Sequence, residues 1–169
     1  MVAIVIVGPS HAGKTTLLNK ITLDYERYSL QQRPELADLD EKLGSGNRSN
    51  VDMAINLVRA AATRPGHIVL VNVGAGQMVQ AAFREFLETE PSLVVSAVWC
   101  NESTFRLRHS AETAEREVQN NYSAQLQSLW ERLREKGWLV DTSNPISEED
   151  SARELANIIR RIGQILQAI

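Results

Sequence analysis

Cysteine is nearly absent. Cys100 is the only one in 169 residues, so no intrachain disulfide can form and no cysteine cage for zinc can be built. It stands in an apolar run with Val94, Val95, Ala97, Val98 and Trp99, where a thiol reads as a packed core residue. A basic excess is missing too: 18 Lys and Arg face 21 Asp and Glu, a formal charge of −3 that offers nucleic acid or an anionic membrane no general attraction. No apolar run is long enough to cross a bilayer. The opening Met1–Val7 lacks the charged flank of a secretory signal and runs straight into Gly8-Pro9. There is no internal repeat, low-complexity tract or dividing linker. The expectation is one cytoplasmic domain over residues 1–169, with no nucleic-acid or membrane partner and an oligomeric state that composition leaves open.

What is present is alternation. Val2–Val7 (VAIVIV), His67–Val73 (HIVLVNV) and Leu93–Cys100 (LVVSAVWC) are continuous apolar, β-branched runs, as in strands buried on both faces, and Trp138–Asp141 is a shorter fourth. Helical patterns lie between them: Gly13 to about Leu23, Asn50 to about Thr63, Gln77 to Leu87, and Glu112 to Lys136. A last helix starts at Ser147, with Asp150 as a capping-box partner. Its apolar face is Leu155, Ile158, Ile159, Ile162, Leu166 and Ile169. This order predicts an α/β fold, a three-layer domain with a central parallel β-sheet flanked by helices. Asp24–Asn50 is polar and at least partly loop, with a short edge strand expected near Leu36–Leu39. Asn101–Asn121 is charged, carries arginines and follows a strand directly.

Residues 8–15 read Gly-Pro-Ser-His-Ala-Gly-Lys-Thr, a full match to the phosphate-loop pattern G-x-x-x-x-G-K-[ST], with a buried strand before it and a helix after it. Gly8 and Gly13 allow backbone angles that turn successive N–H groups around a phosphate, and the following helix adds its positive end. Lys14 can reach the β- and γ-phosphates, and the Thr15 hydroxyl can hold Mg²⁺. The nucleotide-binding set is Gly8, Pro9, Ser10, His11, Ala12, Gly13, Lys14, Thr15 and Thr16, with no chemical role assigned to Pro9 or His11.

Three further features follow in order. Asp38-Leu39-Asp40 puts two carboxylates on one side of an extended segment. Arg48 stands in a Gly/Ser-rich turn before a helix, and Gly74-Ala75-Gly76 ends a strand where a backbone with little side chain lets a small substrate approach. Together with the phosphate loop, these residues resemble the shikimate kinase-like branch of the P-loop kinases, related to the nucleoside monophosphate kinases. The resemblance implies a fold and a reaction: γ-phosphoryl transfer from ATP, with Mg²⁺, to a hydroxyl of a small-molecule acceptor. It also implies roles. Asp38 would help hold Mg²⁺ and Asp40 would orient the acceptor hydroxyl. Arg48 and Gly74-Ala75-Gly76 would line the acceptor pocket. A lid over residues 101–121 would bring Arg116 or Arg108 onto the transferring phosphoryl. The segment Val140–Pro145, with Asn144 and Pro145, would lie against the adenine ring.

The chain departs from that family in places. Lys14 to Asp38 is a long interval and Asp40 to Arg48 a short one, the lid segment has no glycine and no Arg-Pro, and Leu129-Trp130 stands where an arginine grips the acceptor's carboxylate. Shikimate is therefore not the expected acceptor.

Two other classes compete. Ala75-Gly76-Gln77 echoes a GTPase second switch, but its aspartate falls on Val73, and the guanine-reading motif would have to be Asn101-Glu102-Ser103-Thr104, which lacks its Lys and Asp. A nucleotide-dependent switch or regulatory ATPase draws on Asn72, a neutral amide at a strand end where many P-loop ATPases carry a carboxylate.

Overall fold

A computed structural model of the chain describes residues 2–9, 12–21, 26–29, 48–62, 68–73, 78, 80–109, 112, 114–143 and 147–167. The elements run β1 (Val2–Val7), α1 (Lys14–Lys20), β2 (Glu26–Ser29), α2 (Arg48–Ala62), β3 (Ile68–Asn72), α3 (Ala81–Thr89), β4 (Leu93–Trp99), α4 (Glu102–Arg108), α5 (Ala114–Asn121), α6 (Ala124–Glu135), β5 (Leu139–Asp141) and α7 (Glu148–Gln167). The strands form one five-stranded sheet in the order β2-β3-β1-β4-β5. β3 runs parallel to both β1 and β2, and β4 parallel to β5. The expected α/β class with a central parallel sheet and flanking helices is what forms.

After β1 the chain builds β2 and β3 on one side of it, then β4 and β5 on the other. The carboxyl end of β1 runs straight into Gly8.

Contacts group the chain into two compact units, Met1–Ile6 with Asp24–Val95, and Val7–Leu23 with Ser96–Ile169. In the first, β1 and β3 pair from Val2↔Ile68 to Ile6↔Asn72, and β2 pairs the other edge of β3 up to Ser29↔Asn72. Helix α2 packs on β3 and α3, burying Val51, Ala54, Val58, Phe83, Phe86 and Leu87. In the second, α7 packs on α1 and β5. Leu155, Ile158, Ile159 and Ile162 of its apolar face are at most 2% exposed, each worth roughly 1.5–3 kcal/mol of burial. Leu166 is half-buried and Ile169 lies outside the described residues. The Ser147 cap forms as its sequence suggests: its Oγ accepts from the Asp150 amide at 3.1 Å.

The structure differs from the sequence reading in five places. The Glu112–Lys136 pattern is two helices, α5 and α6, separated at Tyr122-Ser123. The Tyr122 hydroxyl donates to the Cys100 carbonyl at 2.6 Å, and Ser123 caps α6. A helix not expected, α4, follows β4 directly and is started by Asn101, whose side chain accepts from the Thr104 amide. α3 begins at Ala81 rather than Gln77, after Gln80 has turned extended. A strand, β2, forms at Glu26–Ser29; an edge strand bonded on one side needs no continuous apolar run, and the expected Leu36–Leu39 strand lies outside the described residues. Arg48 is the first residue of α2, not part of the turn before it.

Candidate functional site

The phosphate loop connects β1 to α1, and two of its glycines meet distinct backbone demands. Gly13 is left-handed at φ 103°, ψ 17°, and turns the chain into the helix with no side-chain cap. Gly8 is required for a different reason: a Cβ on it would collide with the backbone carbonyl oxygen of Val98. The Ala12 amide closes the loop on the Pro9 carbonyl at 3.3 Å, and Ala12 is fully buried.

Lys14 is buried, 8% exposed, and its ammonium donates to the Gly8 carbonyl at 2.8 Å and the Pro9 carbonyl at 3.0 Å. The cation lies across the opening residues of its own loop. Burial drives its pKa down from the ordinary 10.5 to about 8, with the nearby Cys100 thiol acting weakly in the other direction. Cys100 is itself fully buried, and burial pushes its thiol up, so it stays protonated near neutral pH. A desolvated ammonium with only carbonyl partners gains most from an anion, which is what a triphosphate supplies. Thr15 and Thr16, on the first turn of α1, are exposed. Among the described residues no three His, Cys, Asp or Glu side chains gather into a metal cage.

A second segment joins this loop. After β5, Thr142 donates its hydroxyl to the Ala12 carbonyl at 2.7 Å. The Thr142 amide binds the Trp99 carbonyl at 2.8 Å. Arg108, the last residue of α4, holds the same threonine twice: Nη1 donates to its hydroxyl at 3.2 Å and Nη2 to its carbonyl at 2.9 Å. Ser143 follows, its Oγ accepting from the Asn101 amide at 2.6 Å and its own amide donating to Asp141 at 2.8 Å. The sequence places Thr142 only within the Val140–Pro145 segment expected against the base, since a threonine after a strand carries no signal of a bond to Ala12, far away in the chain.

Of the other expected residues, Arg116 is exposed on α5 and makes no hydrogen bond or ion pair among the described residues, whereas Arg106 of α4 is paired with Glu102 and Glu115. Trp130 is core, 1% exposed, its indole N–H donating to the Asn121 carbonyl at 3.3 Å. Asn101, offered to guanine in the GTPase reading, is occupied as the cap of α4. Asn72 is buried at the end of β3, in register with Ile6. Ser10, His11, Asp38, Asp40, Gly74, Ala75, Gly76, Asn144 and Pro145 lie outside the described residues, as does the Arg48 side chain.

No protein-family model and no curated protein matches the chain. Solved structures do. The chain is similar to the shikimate kinase of Acinetobacter baumannii in complex with shikimate, at 22% identity and a TM-score of 0.63, covering 96% of this chain and 94% of that one. It is similar to the shikimate kinase of Bacteroides thetaiotaomicron at 15% identity and a TM-score of 0.63, covering 94% and 98%. A gluconokinase from Sinorhizobium meliloti follows at 16% identity and a TM-score of 0.54, covering 98% and 95%. At these identities the likeness is one of fold, and the fold is that of the shikimate kinase-like P-loop kinases.

Proposed function

We propose that this protein is a kinase that transfers the γ-phosphate of ATP to a hydroxyl group of a small-molecule acceptor. The observation that carries the reading is the phosphate loop: a left-handed Gly13, a Gly8 with no room for a side chain, and a buried Lys14 whose ammonium, among the described residues, is held by two loop carbonyls. The loop stands at the end of β1 in a fold shared with two shikimate kinases and a gluconokinase.

In this reading the loop amides bind the β- and γ-phosphates, and Lys14 exchanges its carbonyl partners for phosphate oxygens. Thr15 and Asp38 would hold Mg²⁺, which supplies neutralising charge to the transferring group. Asp40 accepts a hydrogen bond from the acceptor hydroxyl and takes its proton as the new O–P bond forms. Arg48 and Gly74-Ala75-Gly76 hold the acceptor. Arg116, exposed on α5, is better suited than Arg108 to close a lid of residues 101–121 over the phosphoryl, because Arg108 is engaged with Thr142. Asn144 and Pro145 would border the base. Positioning and charge stabilisation do the work, since phosphoryl transfer asks little covalent chemistry of the protein. A Leu129-Trp130 pair in place of an arginine, with Trp130 in the core, favours an acceptor other than shikimate.

The test is incubation with ATP, Mg²⁺ and a panel of hydroxy acids, polyols and sugars, followed by phosphorus NMR. A new phosphate-ester resonance that depends on one acceptor supports the kinase. Buried Asn72 favours the second reading, a nucleotide-dependent switch, which predicts slow release of inorganic phosphate at a rate that no acceptor changes.

A further inference from the structure

The peptide between Ala12 and Gly13 is weakly constrained by its own residues. Rotating a peptide plane changes ψ of the residue before it and φ of the residue after it, and glycine tolerates either sign of φ, so little intrinsic preference holds this plane in place. The structure supplies an external restraint. The Ala12 carbonyl accepts from Thr142 Oγ1 at 2.7 Å, across 130 residues of chain. A threonine hydroxyl has one proton, and its alternative acceptor, the Trp99 carbonyl, is farther at 3.3 Å, so the proton goes to Ala12. The Arg108 guanidinium donates into the same hydroxyl at 3.2 Å, and a charged donor on the oxygen strengthens it as a donor in turn. Thr142 is held by its amide and its carbonyl as well, so the hydroxyl is carried on a fixed backbone.

In a trans peptide the C=O and N–H point in opposite directions. Fixing the Ala12 carbonyl toward Thr142 therefore fixes the Gly13 N–H on the opposite side. We infer that Thr142 is a positioning residue for phosphate binding: through the Ala12 carbonyl it holds the Gly13 amide in the orientation that receives a phosphate oxygen, with Arg108 reinforcing the hydroxyl. This deepens the proposed function and rests on the loop being a phosphate site.

The experiment compares Thr142→Val, which keeps the shape and removes the donor, with Thr142→Ser, which restores it. Three probes are titrated calorimetrically into each: inorganic tripolyphosphate, ATP with Mg²⁺, and adenosine. The expected result is a loss of about tenfold in affinity for tripolyphosphate and ATP in the valine variant, with adenosine unchanged and the serine variant within about twofold of wild type. A residue that merely orders the loop after β5 for the base would lower adenosine and ATP affinity and leave tripolyphosphate alone. That pattern, or equal binding by wild type and valine variant, overturns the inference. A nitrogen-labelled wild-type sample gives a readout that needs no variant to fold: the Gly13 amide resonance must move on adding tripolyphosphate, and a stationary Gly13 overturns the assignment. Wild-type protein that binds neither tripolyphosphate nor ATP defeats the kinase reading itself, a separate result.

Discussion

Raising the pH from 7 to 9 is expected to weaken triphosphate binding and strengthen the ligand-free fold at once, and Lys14 is the cause of both. Lys14 is 8% exposed, and burial lowers its pKa to about 8, against 10.5 in the unfolded chain. About nine-tenths of the molecules carry the charge at pH 7, about half at pH 8 and about a tenth at pH 9. A bound triphosphate supplies the opposite charge that the site lacks and returns the pKa toward its ordinary value, so binding takes up the missing fraction of a proton. If only the charged form binds, the dissociation constant rises about twofold by pH 8 and about tenfold by pH 9. The ligand's own phosphates do not obscure this, because their last ionisation lies near about pH 6. The Cys100 thiol beside Lys14 is raised by burial and stays neutral through most of the window.

Stability moves the other way. Between about pH 8 and 10.5 the unfolded chain binds more protons at this lysine than the folded one, and stability then rises with pH. The lowering from 10.5 to about 8 corresponds to about 3 kcal/mol, spread over that interval. Titration calorimetry of ATP at pH 8 and 9, in buffers of different ionisation enthalpy, reads the proton uptake directly. Urea unfolding over the same range reads the stability. In Lys14→Arg, whose guanidinium keeps its charge, both dependences should vanish. A binding heat that does not change with buffer at pH 8, or an affinity flat from pH 7 to 9, would refute a desolvated lysine at the centre of the site.

The other expectations concern separate parts of the molecule. Gly8→Ala forces a Cβ onto the Val98 carbonyl, a backbone atom that cannot swing aside, so the urea midpoint should fall by the equivalent of about 3 kcal/mol; an unchanged midpoint would mean the close approach is not real. Trp130→Phe removes the donor to the Asn121 carbonyl and should cost about 1–2 kcal/mol in unfolding experiments while leaving the KM for any acceptor unchanged, whereas a shifted KM would return Trp130 to the acceptor pocket. Asp40→Asn should preserve ATP affinity by calorimetry and abolish formation of the phosphate ester. Equal loss of both would make Asp40 structural.

The parts of this fold that were legible from sequence are those in which the chain's own periodicity does the work. Val2–Val7 is apolar at every position because both faces of β1 are buried, Ala3 to Val7 completely, and α7 shows its face because four aliphatics at helical spacing must be buried together. The phosphate loop was legible for a stricter reason: its glycines answer geometric demands, a left-handed turn at Gly13 and a missing Cβ at Gly8. What was not legible depends on partners distant in sequence or on single polar groups. The break between α5 and α6 follows from Tyr122 reaching the Cys100 carbonyl, and no local pattern around Tyr122 announces it. Helix α4 is short and starts on one side-chain cap, Asn101, a single polar signal in a charged, arginine-bearing segment with little apolar periodicity.

Thr142 is the limiting case of that distinction. Its hydroxyl acts on the residue before Gly13 from 130 positions away, where periodicity, propensity and spacing have no purchase. The glycine pattern that made the loop recognisable is also what leaves one of its peptides free to rotate, so a readable motif of this kind needs an unreadable partner to hold it. The same division applies to Arg108. By position in the sequence it ranks with the lid arginines; its two bonds to Thr142 tie it instead to the Gly8–Thr15 loop. Replacing Arg108 should therefore weaken nucleotide binding through Thr142 before it slows transfer, the reverse of what an arginine closing over the phosphoryl would do.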